Sequence, residues 1–316
     1  MKPSLRRVGF AFSASAKSNE YINIRRAELR RNRVVRRDPT RTAKIRNEYA
    51  ADLRRRLKKL RELIRKTVYE NDALLLKHGR GRAMSTQQVR AASPFDFVTA
   101  PSRSYAFMAW LRDMSNQVML MDFDPTLSVI PNKYVYRAMQ AAIEGADVEM
   151  VRAGLLPAGV AVPAYIYPST GAAANILFTR NYEQLKMLTE QMSGQISRVL
   201  SSGLLGGINP YQMARDMTSI IDNFGIARAN MIARTEIVNA FAETTLDRFD
   251  YYGVEEVDAM AEFSTSADDL VCDYCLDLEG RVLTIEEARG IIPMHPNCRC
   301  TWLPVPPYTE RAIALI

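Results

Sequence analysis

Val257-Asp258-Ala259-Met260-Ala261-Glu262-Phe263 is the stretch at which the chain changes period. Val257, Ala259, Ala261 and Phe263 alternate with Asp258, Met260 and Glu262, which is the two-residue repeat of a strand. Upstream the apolar residues instead recur at steps of three and four. Leu53, Leu57, Leu60 and Ile64, with Ile45 and Tyr49 before them, form one apolar seam on a helix expected over 43–78 and ended by Gly79 and Gly81. Such a seam packs against another helix, in the same chain or in a partner. Phe107, Trp110, Leu111, Met114 and Val118 mark a second helix over 104–120. Others are expected over 132–145, over 147–155, and over 182–200 through Leu185, Leu188, Met192, Ile196 and Val199. Asn209-Pro210 supplies a cap and a first-turn proline for a helix reaching Phe224. Gly225 breaks it, and a long helix resumes over 226–252 with Ala233, Val238, Phe241, Thr245 and Phe249 inward. Beyond the strand at 257–263, short strands are expected over 281–285 and 300–305. The fold class is therefore α+β: a mainly helical body with a small C-terminal α+β module carrying a Cys/His cluster. The expected divisions are a basic flexible arm (1–42), a basic amphipathic helix (43–80), a helical body (82–225), the C-terminal module (226–305) and a tail (306–316).

The 316 residues are 47% hydrophobic and 24% charged, a globular composition that excludes wholesale disorder, collagen-like repeats and a coiled-coil rod. No run approaches the ~18 apolar residues of a membrane span, and the best candidate, 154–168, is interrupted by Pro157 and Pro163. The net charge of +7 conceals a split. Residues 1–80 hold 24 Lys and Arg against 8 Asp and Glu, whereas the remainder holds 18 against 27. A basic arm on an acidic body points to a polyanion or an acidic protein surface as partner. Lys2, Arg6 and Arg7 before Val8 to Phe12 resemble a secretory leader, but the apolar run is shorter than the ~7–15 residues such a core needs. Arg25, Arg26, Arg30, Arg31, Arg33, Arg36 and Arg37 are crowded with few apolar partners. Their mutual repulsion weakens a lone helix and is relieved by phosphate contact. Together with Arg54, Arg55, Lys58 and Lys59 on the polar face of the first helix, they are the candidate DNA- or partner-binding residues. His78 reads as a helix C-terminal residue favoured by the dipole.

All four cysteines fall between Cys272 and Cys300, as Cys272-x2-Cys275, nineteen residues, then His295-x2-Cys298-x-Cys300. Cysteines that merely filled core gaps would be scattered. A Cys-x2-Cys turn aims two thiolates at one point, and a second pair closes a tetrahedron around zinc at ~2.3 Å per bond. Cys272, Cys275 and Cys298 are the leading ligands, with His295 or Cys300 as the fourth, and Asp268, Asp269, Asp273 and Asp277 nearby favour a cation. Reduced structural cysteines, or two disulfides in an oxidising compartment, are the alternatives. A structural Zn2+ suits the pattern better than a catalytic one, which needs an open position and a general base, for which Glu279 and Glu262 are the nominal candidates. Ser264-Thr265-Ser266 resembles the Ser-Thr-Ser strand of ADP-ribosyltransferases, and no Gly-rich phosphate loop is present. No catalytic residue is assigned. Arg234, Thr235 and Glu236 read as structural, Thr235 and Glu236 bonding to the neighbouring sheet and Arg234 pairing with an acid such as Asp268.

The run Ile232-Ala233-Arg234-Thr235-Glu236, then Asn239 and Gly253, resembles the phage Mu F-like family of head morphogenesis, or minor capsid, proteins. The similarity continues through Ser264-Thr265-Ser266-Ala267-Asp268-Asp269-Leu270-Val271-Cys272-Asp273-Tyr274-Cys275 and Leu278-Glu279-Gly280. It closes with Pro293-Met294-His295-Pro296-Asn297-Cys298-Arg299-Cys300. Looser likeness reaches upstream to about residue 130 through Tyr134 to Gly145, the helix from Tyr182 and Gly206-Gly207-Ile208-Asn209-Pro210. The family often has Trp where Phe263 stands. The resemblance implies a virion protein of the capsid interior, assembled in the host cytoplasm and associated with the portal vertex. Its implied partners are the portal protein, other head or scaffolding proteins and double-stranded DNA, and its implied role is head assembly and DNA packaging or retention. The competing reading is a metal-dependent nuclease or transferase acting from the C-terminal module. A third is a zinc-containing DNA-binding regulator, for which no recognition helix is evident beside the cluster.

Overall fold

A computed structural model of the chain describes residues 38–74, 103–121, 132–157, 172–253 and 260–305. The arginines from Arg25 to Arg37, His78, the first half of the expected strand (257–259) and the tail 306–316 lie outside them. In order, the elements are α1 (Ala43–Arg65), α2 (Arg103–Met119), α3 (Lys133–Arg152), α4 (Ala172–Gly206), α5 (Pro210–Ile220), α6 (Ile226–Gly253), β1 (Met260–Ser264), α7 (Asp273–Leu278), β2 (Val282–Thr284), α8 (Ile285–Ala288) and β3 (Thr301–Val305). The protein is mainly helical, with a three-stranded antiparallel sheet at its C-terminal end.

Helix α1 is stapled at its start by Asp38. One carboxylate oxygen accepts the Ala43 N–H at 2.7 Å and the other accepts from Arg46 at 2.9 Å. The negative charge sits where the helix leaves unpaired N–H groups. The seam Ile45, Tyr49, Leu53, Leu57, Leu60 and Ile64 is buried, and it packs against the chain's own α6, α2 and α5. The seam is thus occupied within the molecule and offers no docking face to another protein. The helix stops earlier than 78. A π-helical turn, Lys66–Glu70, follows α1, and Asp72 then takes a left-handed φ of 46°, which ends helical geometry.

Two expected helix breaks are absent. Residues 132–155 contain one helix, α3, that passes through Gly145. A Cβ there would make an ordinary contact with the Phe241 ring of α6 at 3.5 Å, and the helix runs through the glycine unbroken. Likewise Gly225 lies in a π-turn, Ile221–Gly225, that joins α5 to α6 without a gap. A Cβ on Gly225 would lie 2.9 Å from the Met192 sulfur and 3.4 Å from Leu57, so its lack of a side chain admits α4 and α1. Helix α4 also runs past the expected 182–200 at both ends. Asn209 caps α5 as its sequence implies, accepting the Tyr211 N–H at 2.8 Å.

Helix α6 is the axis of the structure. Ala229, Ile232, Ala233, Ile237 and Ala240 belong to the core of the helical body, and Val238, Ala242, Leu246 and Phe249 belong to a second core beneath the sheet. A helix buried on nearly all sides loses the one-sided apolar stripe of a surface helix. In the sheet β1 is central, order β2-β1-β3, with Ala261 opposite Leu283 and Phe263 opposite Trp302. Phe263 and Trp302 meet edge to face at 5.4 Å, a favoured aromatic geometry. Pro304 is tolerated because β3 is an edge strand. The second core is completed by Ala146 and Met150 of α3 and by Cys275, Cys298 and Cys300. Arg248, 1% exposed, reaches from α6 to Asp147 of α3 with two hydrogen bonds of 2.6 and 3.0 Å. Among the described residues no helix is long and apolar enough to cross a membrane.

Candidate metal centre

The centre is made by two turns that approach from opposite ends of the C-terminal segment. The first follows β1. Asp268 accepts the Leu270 N–H at 3.0 Å, and Asp268 C=O accepts from Val271 at 3.2 Å, turning the chain into Cys272. Cys272 is the N-cap of α7: its sulfur accepts the Cys275 N–H at 3.4 Å and its carbonyl accepts from Leu276 at 3.0 Å. That turn places the two sulfurs side by side. The second turn is closed by Cys298 N–H donating to His295 C=O at 3.1 Å, with Asn297 at a left-handed φ of 65°.

The turns meet at the imidazole. His295 Nε2 lies 3.3 Å from Cys272 Sγ and 3.3 Å from Cys275 Sγ, and Cys275 Sγ lies 4.0 Å from Cys298 Sγ. Two triads result, Cys272/Cys275/His295 and Cys275/Cys298/Cys300, each with its ligand atoms within 4.8 Å, and Cys275 belongs to both. All four cysteines are free thiols. Tetrahedral zinc requires ligand atoms about 3.5–3.8 Å apart, from its ~2.3 Å Zn–S and ~2.0 Å Zn–N bonds. The separations of 3.3 and 4.0 Å lie on either side of that range, so either triad could hold a zinc-sized soft cation.

Electrostatics point the same way. The hydrogen bond from Cys275, seconded by that from Cys300, holds the Cys298 thiol far below the ordinary thiol range. The same contact with Cys298, then that with Cys300 and burial, pushes Cys275 up. A buried thiol trio can carry little negative charge by itself, and a divalent cation removes that restriction. Of the acids near the cluster, Asp273 and Asp277 are exposed. Asp268 instead grips Arg299 through two hydrogen bonds, 2.5 and 2.6 Å, which tie the first turn to the strand leaving the second.

Other residues singled out in the sequence are placed differently from expectation. Arg299, not Arg234, is the partner of Asp268; Arg234 is exposed on α6. Thr235 accepts the Asn297 N–H at 3.3 Å and so braces the second turn, not the sheet. Glu236 is 3% exposed and pairs with Arg180 of α4 at 3.0 Å. Burial raises its carboxyl above the ordinary value, against the pull of Arg180. Glu279 is buried and accepts the Thr265 N–H, so this carboxylate supports the Ser264-Thr265-Ser266 segment. Arg54, Arg55, Lys58 and Lys59 all lie exposed on the outer face of α1, Arg54 reaching Asn230 of α6 at 3.1 Å. Arg299 was legible only as a residue between two cysteines; its role depends on a loop 31 positions away.

The fold and the cluster define a class: a mainly helical protein ending in a small antiparallel module that gathers Cys and His side chains able to hold a metal. Residues 194–303, from within α4 to β3, match the family described as Phage Mu protein F like protein. This covers both turns of the centre, Arg234 to Glu236 and most of the resemblance seen in the sequence, while the looser likeness between 130 and 193 lies outside it. No curated protein and no solved structure matches the chain.

Proposed function

We propose that this chain is a minor capsid protein of a phage head, acting in head assembly and in packaging or retention of DNA near the portal vertex. The observation that carries this reading is the family match over residues 194–303, which spans the whole Cys/His centre. The family points to a phage head role; the portal, the packaging role and the protein partners are what the resemblance implies, and charge supports the DNA contact. The DNA contacts come from the arginine-rich sequence before Asp38, on the strength of its charge, and from the exposed Arg54, Arg55, Lys58 and Lys59 of α1. Contacts of this kind are to phosphates, so they carry no sequence preference and weaken with salt. Portal and other head proteins are the protein partners, the virion interior is the destination, and the host cytoplasm is the place of assembly.

The metal in this reading is a structural Zn2+ held by ligands from Cys272, Cys275, His295, Cys298 and Cys300. When bound it supplies cross-linking free energy to a module whose sheet has only three strands. The test is to fractionate phage particles and probe for the protein. It is expected in purified heads at a few copies each, and the purified protein should bind unrelated duplexes equally. Its absence from heads at every assembly stage would sink the proposal.

A further inference from the structure

Three arginines from distant parts of the chain are brought to one place, and one of them keeps a buried donor unused. We infer that Arg46, Arg234 and Arg299 form a binding site for a phosphate-type oxyanion where the helical body meets the C-terminal module. The site is defined without the metal.

Three sets of contacts place these residues. Helices α1 and α6 run antiparallel, since Arg61 reaches Asp222, just before α6, at 3.0 Å and Arg54 reaches Asn230 at 3.1 Å. One turn on from Arg54 and Asn230 stand Ala50 and Arg234, and one more turn of α1 brings Arg46. Thr235 accepts the Asn297 N–H at 3.3 Å, which sets the turn leading to Arg299 against α6 beside Arg234. Pro39, Thr40 and Arg41 line one cavity with Thr301, Trp302 and Leu303, so the lead-in to α1 lies against the strand that follows Arg299.

The charges there do not cancel. Arg46 donates to Asp38 at 2.9 Å, and Arg299 donates twice to Asp268. Arg234 is exposed and pairs with none of the described residues. Three guanidiniums therefore face two carboxylates. Burial lowers Arg46 from its ordinary value, Asp38 opposes that, and repulsion from Arg234 and then Arg299 adds to it. An anion among the three relieves the repulsion.

The unused donor gives the site its chemistry. The Arg46 side chain is 9% exposed, and its Nη1 is buried with no hydrogen-bond partner. A buried donor left unpaired is costly, more so on a charged group. The partner it lacks is an acceptor, and the excess of positive charge makes that acceptor an anion. Guanidinium forks match the oxygens of a phosphate. Because Nη1 lies under the surface, entry requires a side-chain shift, and it admits a small ion or the exposed phosphoryl group of a larger molecule. Arg234, exposed and unpaired, supplies the contact on the solvent side.

The test titrates inorganic phosphate into the full chain in chloride buffer and follows binding by calorimetry. The wild type is expected to bind one phosphate with a Kd of about 1 mM or tighter. Arg234→Gln changes an exposed position, so it should keep the fold by circular dichroism and weaken phosphate about 10-fold. Arg46→Lys keeps a charge for Asp38 but removes Nη1, and it should weaken phosphate as much. Arg112→Gln, at an exposed arginine of α2, should leave the affinity unchanged. No saturable binding by the wild type, or equal affinity in the wild type and Arg234→Gln, overturns the site. Should Arg46→Lys fail to fold, the Arg234→Gln comparison decides alone. A short DNA duplex then identifies the source of the anion. Displacement of phosphate by the duplex, with both weakened in Arg234→Gln, assigns the site to a nucleic-acid backbone. Simultaneous binding of duplex and phosphate assigns it to free phosphate or a small phosphorylated molecule, and the site stands in either case.

Discussion

Thr235, in the middle of α6, accepts the backbone N–H of Asn297 at 3.3 Å, 62 residues further along the chain. This contact fastens the second turn of the Cys/His centre to the axis of the helical body. Asn297 is held at a left-handed φ of 65° between His295 and Cys298, so its N–H direction and the donor positions are set together.

Replacing Thr235 with Val keeps the shape and removes the acceptor. The expected cost is about 1 kcal/mol, the net value of one such hydrogen bond. Urea unfolding of the zinc-loaded protein measures it, and the same variant should release zinc to a chelator faster than the wild type.

Metal removal should act unevenly. Cys275, Cys298 and Cys300 are part of the second core, together with Phe263 and Trp302. Stripping the ion is expected to raise amide hydrogen exchange in β1, β2, β3 and α7 while the amides of α1 and α4, whose buried residues lie in the other core, keep their protection. Uniform loss of protection across the helices would contradict that division.

Arg248→Met tests the strut between α6 and α3. Arg248 is 1% exposed and its guanidinium grips Asp147, which the substitution leaves without its ion partner. Asp147 is 21% exposed and keeps the Tyr252 hydroxyl at 3.3 Å, so breaking the pair from one side costs about 2 kcal/mol. The midpoint of chemical unfolding should fall accordingly, whereas the double change Arg248→Met with Asp147→Leu should recover part of it.

Two carboxylates should give pH dependences of opposite sign. Burial raises Glu236 above its ordinary value of 4.5. The folded state then holds that proton more firmly, so this contribution to stability is full below 4.5 and is lost as pH rises through the folded-state value. Glu236→Gln should therefore match the wild type in acid and be the more stable at pH ~7. Asp268 is the reverse. The Arg299 hydrogen bond lowers it below 3.8, so its contribution is present above 3.8 and is lost as pH falls through the folded-state value. Asp268→Asn should cost about 2 kcal/mol at neutral pH, the scale of a charge-assisted hydrogen bond, and nothing in strong acid. Unfolding free energies from pH ~3 to ~8 distinguish the two patterns.

Much of this architecture was legible in residue spacing. The seam of α1 and the strand at β1 follow from periods of 3.6 and 2, and the start of α5 from its Asn209 cap and Pro210, all local properties of the chain. The two glycines misled for a physical reason. Gly145 and Gly225 look like breaks because glycine weakens an isolated helix, yet both lie in buried helix packing, and at Gly225 a Cβ would crowd Met192. Helix α1 was overextended because the Asn71-Asp72 turn lies inside a run that otherwise keeps helical spacing.

From the amino-acid order alone came the α+β class, the basic arm and the five donors, because each depends on neighbours within a few residues or on simple counts. Which donors face one another, that Arg299 serves Asp268, that Glu236 pairs with Arg180 and that the α1 seam is filled from within were decided only by the tertiary structure. Those contacts join residues 20 to 56 positions apart or link separate helices. Side-chain chemistry states what a residue can bond to; only the folded chain brings the partner within reach.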